Sequence, residues 1–450
     1  MEEDDDFLTD RSRQRAVPSG RLSRLGTFGR LAGGVAGNVI GEGARRLAAG
    51  ERPRVSDLVL TPGNAKRLAD RLAHLRGAAM KMGQMISMDA GDLLPPELAE
   101  IMARLRDQAQ HMPPGQLKTV LAKEWGKDWR RRFKRFGPTP VAAASIGQVH
   151  RAQTPDGRDL AIKIQYPGVA KSIDSDVDNV VTLLRISGLV PKELDLAPLL
   201  DEAKKQLHEE ADYEREGAEM ERFAQLLEGD DRYVVPRRDD EFTTPNVLAM
   251  SFIEGSPIEG IADEPQDVRN EVMTRLIELV LRELFEFGHM QTDPNFANYR
   301  YQADGGRLVL LDFGASRAVE RHVSANYRNL LRALFAGDRD AVRQGAIDAG
   351  FLGPAAAEKH RALVDRMIDI VLREIGTPER FDFGDRAFVT TLAEMGQEMA
   401  EDRETWHVPP ADMIFVQRKI SGTALLAARL KAVVDIRALC APYLEDVPQA

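Results

Sequence analysis

Apolar positions change rhythm twice along this 450-residue chain. Before about residue 125 they recur at helical spacing. Thr61-Pro62 offers a capping hydroxyl ahead of a proline at the first helical position, and Leu68, Leu72, Leu75 and Ala79 follow on one face. Pro95-Pro96 restarts a helix whose face carries Leu98, Ile101, Met102 and Leu105. Residues 1–56 lack such a pattern and read as a poorly packed leader. The rhythm then shortens to that of strands at 149–152 and 160–165, joined by Thr154-Pro-Asp-Gly157, where Asp156-Gly157 is a hairpin turn. Helices are predicted at 172–188 and 196–227, strands at 233–235 and 247–252, and a helix at 266–287. A short hairpin follows, 299–302 with 308–311 across a turn at 303–306, and from about 322 the pattern is helical. No internal repeat is present.

This order predicts an α+β, two-lobed chain: a leader (1–56), a helical extension (57–125), a strand-rich lobe (126–254) and a mostly helical lobe (255–445). Hydrophobic residues make up 43%, enough for a sizeable core. The formal net charge of −10 argues against a general nucleic-acid binder, which needs many phosphate-neutralising cations. Cys440 is the single cysteine, so neither an intrachain disulfide nor a cysteine-built metal site can form. Five acidic residues follow Met1, unlike the basic start of an export signal, so a cytoplasmic location is expected. No run of about 18 apolar residues predicts a spanning helix. Residues 31–40 are weakly apolar and glycine-rich, between Arg24, Arg30, Arg45 and Arg46. Two readings stay open there: a solvated tail, or a segment lying on an anionic bilayer surface.

Candidate chemistry starts at Leu160-Ala-Ile-Lys163. Alternation places Ile162 and Ile164 toward a core and Ala161 and Lys163 on the other face. A small residue beside a lysine suits a nucleotide, the alanine admitting the base and the lysine neutralising phosphates; an amphipathic strand with a solvated lysine is the plainer alternative. Met250 and Phe252, in the strand expected at 247–252, join Ala161 as nucleotide-site candidates. Residues 289–298, HMQTDPNFAN, resemble a kinase catalytic loop, in which an aspartate precedes an asparagine by five residues. Asp293 would orient or deprotonate a nucleophile, and Asn298 would offer an amide oxygen to a metal. Asp312-Phe-Gly314 follows at the end of the apolar run 308–311, where a carboxylate can hold Mg²⁺ bridging phosphates. A second copy, Asp382-Phe-Gly384, has no apolar strand before it and reads as a loop.

The predicted helix 196–227 is strongly acidic, and most of that face is expected to be solvated. Glu210 and Glu216 lie six apart, about 600° around a continuous helix, and so on different sides of it. Where protein kinases carry a glycine-rich loop, this chain has Pro140-Val-Ala142-Ala143-Ala144-Ser145-Ile-Gly147-Gln148, which is stiffer because alanine resists positive φ. No Ala-Pro-Glu and no long activation segment follow Asp312, so a platform for docking peptide substrates is not expected.

Together these residues resemble the UbiB family of atypical kinases over roughly 60–445. Lys81-Met-Gly-Gln84 is similar to the family's KxGQ signature, residues 142–148 to its alanine-rich loop, and Glu210-Ala-Asp212 to its ExD motif; the segment around 406–430 is similar in pattern. The resemblance implies that Lys81 pairs with Glu210 and Lys163 with Glu216. It also implies that Asp293, Asn298 and Asp312 serve ATP and Mg²⁺, and that the module holding Lys81 and Gln84 covers the site where a protein substrate would enter. It further implies ATPase or small-molecule kinase activity supporting ubiquinone or other isoprenoid-lipid metabolism, with an isoprenoid or quinone-precursor ligand and peripheral membrane contact. Gly217 departs from the alanine usual after Glu216, which loosens the helix slightly. A nucleotide-gated scaffold is the alternative, and a protein kinase a third.

Overall fold

A computed structural model of the chain describes residues 111–144, 146–186, 197–376, 379–400, 402, 405, 407 and 410–445. The chain divides into two compact units. One takes in residues from 111 to Glu221 with Pro236–Ile253, the other Arg222–Val235 with the residues from Glu254 on.

The first unit is built on an antiparallel sheet. Strands β3 (Gly147–Gln153) and β4 (Asp159–Gln165) form its hairpin, and the turn ends on Gly157 at φ 96°. β1 (Arg135–Phe136) and β2 (Ala142–Ala143) both pair with β3, while β6 (Val247–Ser251) pairs with the far side of β4. Because side chains alternate along a strand, Ala152, Leu160, Ile162, Ile164, Val247 and Ala249 share one face. That face is buried against helix α1 (Pro114–Trp125), through Leu117 and Leu121, and against Trp129, Phe133, Phe136 and Phe242. The rings interlock, Phe133 lying 4.6 Å from Phe242 and Trp129 5.0 Å from Phe136, centre to centre. Burial of these large side chains, at about 25 cal/mol per Å² of apolar area, is the main force closing the sheet.

Helix α2 (Val169–Ile186) follows β4. The acidic segment expected as one helix is two: α3 (Ala197–Glu210) and α4 (Tyr213–Leu226). The chain breaks at Ala211-Asp212 because the Asp212 side chain accepts the N–H of Arg215 at 2.9 Å. A carboxylate capping free N–H groups starts a new helix more readily than it continues an old one. The 600° argument for Glu210 and Glu216 therefore does not apply. Helix α4 passes from the first unit to the second after Glu221.

In the second unit β9 (Tyr299–Gln302) and β10 (Arg307–Leu310) make the expected hairpin, tightened by Gly305 and Gly306 at φ 84° and 62°. β5 (Tyr233–Val234) lies parallel to β10, and β7 (Ser256–Pro257) edges β9. Helix α5 (Gln266–Arg282) passes into a π-turn at Glu283–Phe287 and ends on Gly288, which takes the left-handed φ of 55°. β8 (His289–Gln291) pairs antiparallel with β11 (Ser316–Ala318). The rest is helical from α6 (Arg321–Ala336) onward, through α7 (Arg339–Asp348), α8 (Pro354–Lys359), α9 (Arg361–Val371), α10 (Ala387–Ala400), α11 (Ala411–Arg429) and α12 (Ile436–Leu444). One exception interrupts it: β12 (Phe381–Asp382) pairs with β13 (Val433–Val434), so the second Asp-Phe-Gly begins in a short strand rather than a loop. Among the described residues no helix is long and apolar enough to cross a membrane.

Candidate active site

The first unit buries a lysine deliberately. Lys163 stands on the β4 face opposite the aromatic core, in register with Val149 on β3 and Leu248 on β6. Its ammonium donates to both carboxylate oxygens of Glu216, at 2.6 and 2.8 Å, and lies 5.2 Å from the centre of the Tyr213 ring. All three residues are buried. Two charges out of water are tolerated only when paired this closely. Glu216 reaches Lys163 because it lies one turn into α4, its N–H bonded to the Asp212 carbonyl at 3.0 Å. Gly217, read in sequence as a weak spot, has a steric reason. A Cβ there would stand 2.8 Å from Arg238 Cδ and 3.2 Å from Leu248 Cδ1.

Ala161 lies opposite Met250 and Arg151 on the same face as Lys163. Phe252 falls one residue beyond β6. Its N–H donates to the Asp159 carbonyl at 2.9 Å, and the Arg151 guanidinium covers its ring at 4.1 Å. Ala142 and Ala143 are not a free loop: they form β2 on β3, exposed, with Ala144 half-buried after them. Ser145 lies outside the described residues, as do Lys81, Gln84 and hence the Lys81–Glu210 pairing. Glu210 ends α3, half-buried.

Of two neighbouring nucleotide-site candidates, Gly147 stays on the Lys163 face and Gln148 is turned away from it. Gly147 is required by packing, since a Cβ there would meet the Ile164 carbonyl at 2.5 Å and the Tyr213 hydroxyl at 2.7 Å. The Gln148 side chain is fully buried on the aromatic-core face. Its Oε1 accepts the Met112 N–H at 2.7 Å, and its Nε2 lies 2.7 Å from His150 Nε2. His150 Nδ1 is in turn 2.7 Å from the Gly137 carbonyl. A ring nitrogen facing an amide N–H must accept, so His150 is neutral with its proton on Nδ1. Burial lowers its pKa from 6.5 to about 4. Because β3 starts at Gly147 rather than at 149, alternation commits Gln148 to the His150 face and away from Lys163.

In the second unit Asp293, Asn298 and Asp312 come together around the β9–β10 hairpin, all half-buried. The Asn298 carbonyl accepts the Leu311 N–H at 3.0 Å, extending the hairpin so that Asn298 and Asp312 stand at its open end. Asn298 Nδ2 donates to the Asp293 carbonyl at 3.4 Å, so the amide oxygen is the atom it can offer a metal. The Asp312 side chain accepts the Gly314 N–H at 3.0 Å. Asp382 makes the same turn with Gly384 at 2.7 Å, so this turn alone does not mark a metal site. Phe313 is buried against Phe223 of α4, their centres 5.1 Å apart. Thr292 ties the segment down by bonding the Ala315 carbonyl through its N–H and its hydroxyl, at 3.2 and 2.7 Å.

Sequence reasoning missed the residues behind this segment. Lys419 of α11 is buried, with Nζ 3.0 Å from Gln291 Oε1, 2.8 Å from the Tyr299 hydroxyl and 3.6 Å from Glu283 Oε2. Burial pushes the Glu283 carboxyl up; burial is the largest single influence on the Lys419 ammonium and works against it, but Glu283 and Tyr299 together outweigh it and hold that pKa above the ordinary value. The signal available in sequence was a lysine at helical spacing from Phe415, Val416 and Leu426, all apolar and buried.

The two units carry the elements of an atypical kinase-like fold, and the comparisons agree. The ABC1 atypical kinase-like domain matches residues 104–346, and the chain belongs to that family. It is 37% identical to "Atypical kinase COQ8B, mitochondrial" of Danio rerio over 96% of this chain and 69% of that one. It is 36% identical to "Atypical kinase COQ8, mitochondrial" of Saccharomyces cerevisiae, over 97% and 87% respectively. Among solved structures it is similar to Rv3197 of Mycobacterium tuberculosis, determined in complex with erythromycin, at 27% identity and a TM-score of 0.58 over 85% of this chain and 97% of that one.

Proposed function

We propose that this protein binds Mg-ATP and acts as an ATPase or small-molecule phosphotransferase supporting ubiquinone or related isoprenoid-lipid metabolism. The carrying observation is the buried Lys163–Glu216 pair, which sets an ammonium on a strand face beside Ala161, where it can neutralise phosphates. Phosphoryl transfer needs mainly positioning and charge neutralisation. Lys163 and Glu216 would position the nucleotide, and Asp293 would orient the attacking group or take its proton. The donor set fits Mg²⁺: an amide oxygen from Asn298 and a carboxylate from Asp312, hard ligands of the kind that leave room for phosphate oxygens and waters. When bound, the ion would offset charge on the phosphates. The isoprenoid connection rests on the family resemblance and on relatives named for COQ8. Domain limits at 57–125, 126–254 and 255–445, a covering role for Lys81 and Gln84, and peripheral membrane contact through the basic flank of residues 31–40 complete the reading.

The test is steady-state ATP turnover with and without anionic lipid vesicles. Asp312→Asn should lower turnover by about 100-fold or more, the scale for removing a charge-stabilising group. Tight ATP binding without turnover under either condition would point instead to a nucleotide-gated scaffold.

A further inference from the structure

Burying a lysine in a helical core is unfavourable, and a methionine would fill the same place on α11 at little cost. Lys419 must therefore be judged by what it holds. Gln291 ends β8 and Tyr299 begins β9, and the segment between them carries Asp293 and Asn298. The Lys419 ammonium grips both ends of that segment at once. One helical turn further along α11, Gly422 faces the middle of the same segment: a Cβ there would overlap the Pro294 ring. Residues three apart share a helix face, so Lys419 and Gly422 present one surface to the segment. Glu283 completes the grip from the π-turn after α5, accepting the Gln291 N–H at 3.4 Å while facing Lys419. Such π-turns are frequent at functional sites, because they displace a side chain that a regular helix would point elsewhere.

We propose that Lys419, seconded by Glu283, is a positioning residue that fixes the backbone carrying Asp293 and Asn298, without itself touching substrate or metal. The catalytic consequence rests on the reading of those two residues given above; the mechanical claim does not. A reaction that depends on positioning loses about 100-fold in rate for a misplacement near 1 Å.

The experiment compares Lys419→Met, Glu283→Gln and the double variant in the full chain. Each single change leaves a buried group unmatched, so its unfolding midpoint should fall. The double variant removes both charges, and its midpoint should return toward that of the wild type. Even so, amide exchange in residues 290–299 of the double variant should run about tenfold faster or more, while α5 amides keep their protection. Its kcat for ATP should fall by about 10- to 100-fold with KM nearly unchanged. A merely structural pair would move neither the exchange nor kcat once the midpoint has recovered, and that result would overturn the proposal. Tyr299→Phe removes one acceptor and no charge, so it keeps the test decisive if the double variant does not fold: faster exchange in 290–299 supports positioning, and unchanged exchange refutes it. Absence of ATP turnover in the wild type would instead defeat the enzymatic reading, leaving exchange alone to decide the mechanical claim.

Discussion

Two buried lysine–glutamate pairs, one in each unit, use the same charges in different ways. In the first, both Glu216 oxygens lie within 2.8 Å of the Lys163 ammonium. In the second, Glu283 stands back at 3.6 Å, and the Lys419 ammonium is satisfied at shorter range by neutral groups, Gln291 and Tyr299. The surroundings differ too. Lys163 shares its strand face with Ala161 and Met250, whereas Lys419 lines a small cavity with Leu276, Leu279, Val280, Pro294 and Leu426. A pair that clamps backbone needs several partners around it, each from a different stretch of chain.

The sharpest way to break this contrast is to remove each acid in turn. Glu216→Gln leaves Lys163 buried beside a neutral amide and should destabilise the protein by about 3–5 kcal/mol. Glu283→Gln leaves Lys419 with two nearer acceptors, and the loss should be about 1–3 kcal/mol. Urea unfolding of the two variants decides the matter: equal losses, or the reverse order, would end the distinction.

A buried titratable group hydrogen-bonded to neutral groups supplies the baseline. The pKa of His150 falls to about 4 through burial, so as pH drops below 6.5 the unfolded chain takes up its proton first. Between those values the unfolded state binds more protons, and stability from the neutral ring, full at pH 7, drains away toward pH 4. The total is about 3 kcal/mol. Carboxylates add to any acid slope, so the measurement is the difference between wild type and His150→Gln in unfolding free energy from pH 7 to 4.5. Parallel slopes would mean that His150 is not held neutral.

The smallest effect tests how Glu216 is delivered. Asp212→Ala removes the cap of α4 one turn before Glu216 and should cost about 1 kcal/mol in thermal or urea unfolding. No change would mean that packing of Tyr213 and Glu216, not the cap, sets where α4 begins.

Legibility in the sequence followed the range of the interactions. The β3–β4 hairpin, β6, the β9–β10 hairpin and the Asp293–Asn298–Asp312 spacing rest on neighbours within a strand, a turn or a short loop, and all could be read off the chain. Gln148 was misplaced because the strand begins two residues earlier than its apolar pattern shows, and one residue of register changes the face of every side chain. The acidic helix was read as continuous because a carboxylate at 212 looks like any other acid until it turns back to cap Arg215.

Local pattern and spacing were enough to write down the α+β order of elements, the Lys163 strand and the hairpin that ends at Asp312, because period-two alternation and motif distances are properties of neighbouring residues. The partners of Lys419, the glycine that lets Pro294 against α11, and the grip of Lys419 on both ends of the Asp293 segment emerged only on folding. Those contacts join residues more than a hundred positions apart, and no chain-local rule encodes which distant side chain will arrive at 3 Å.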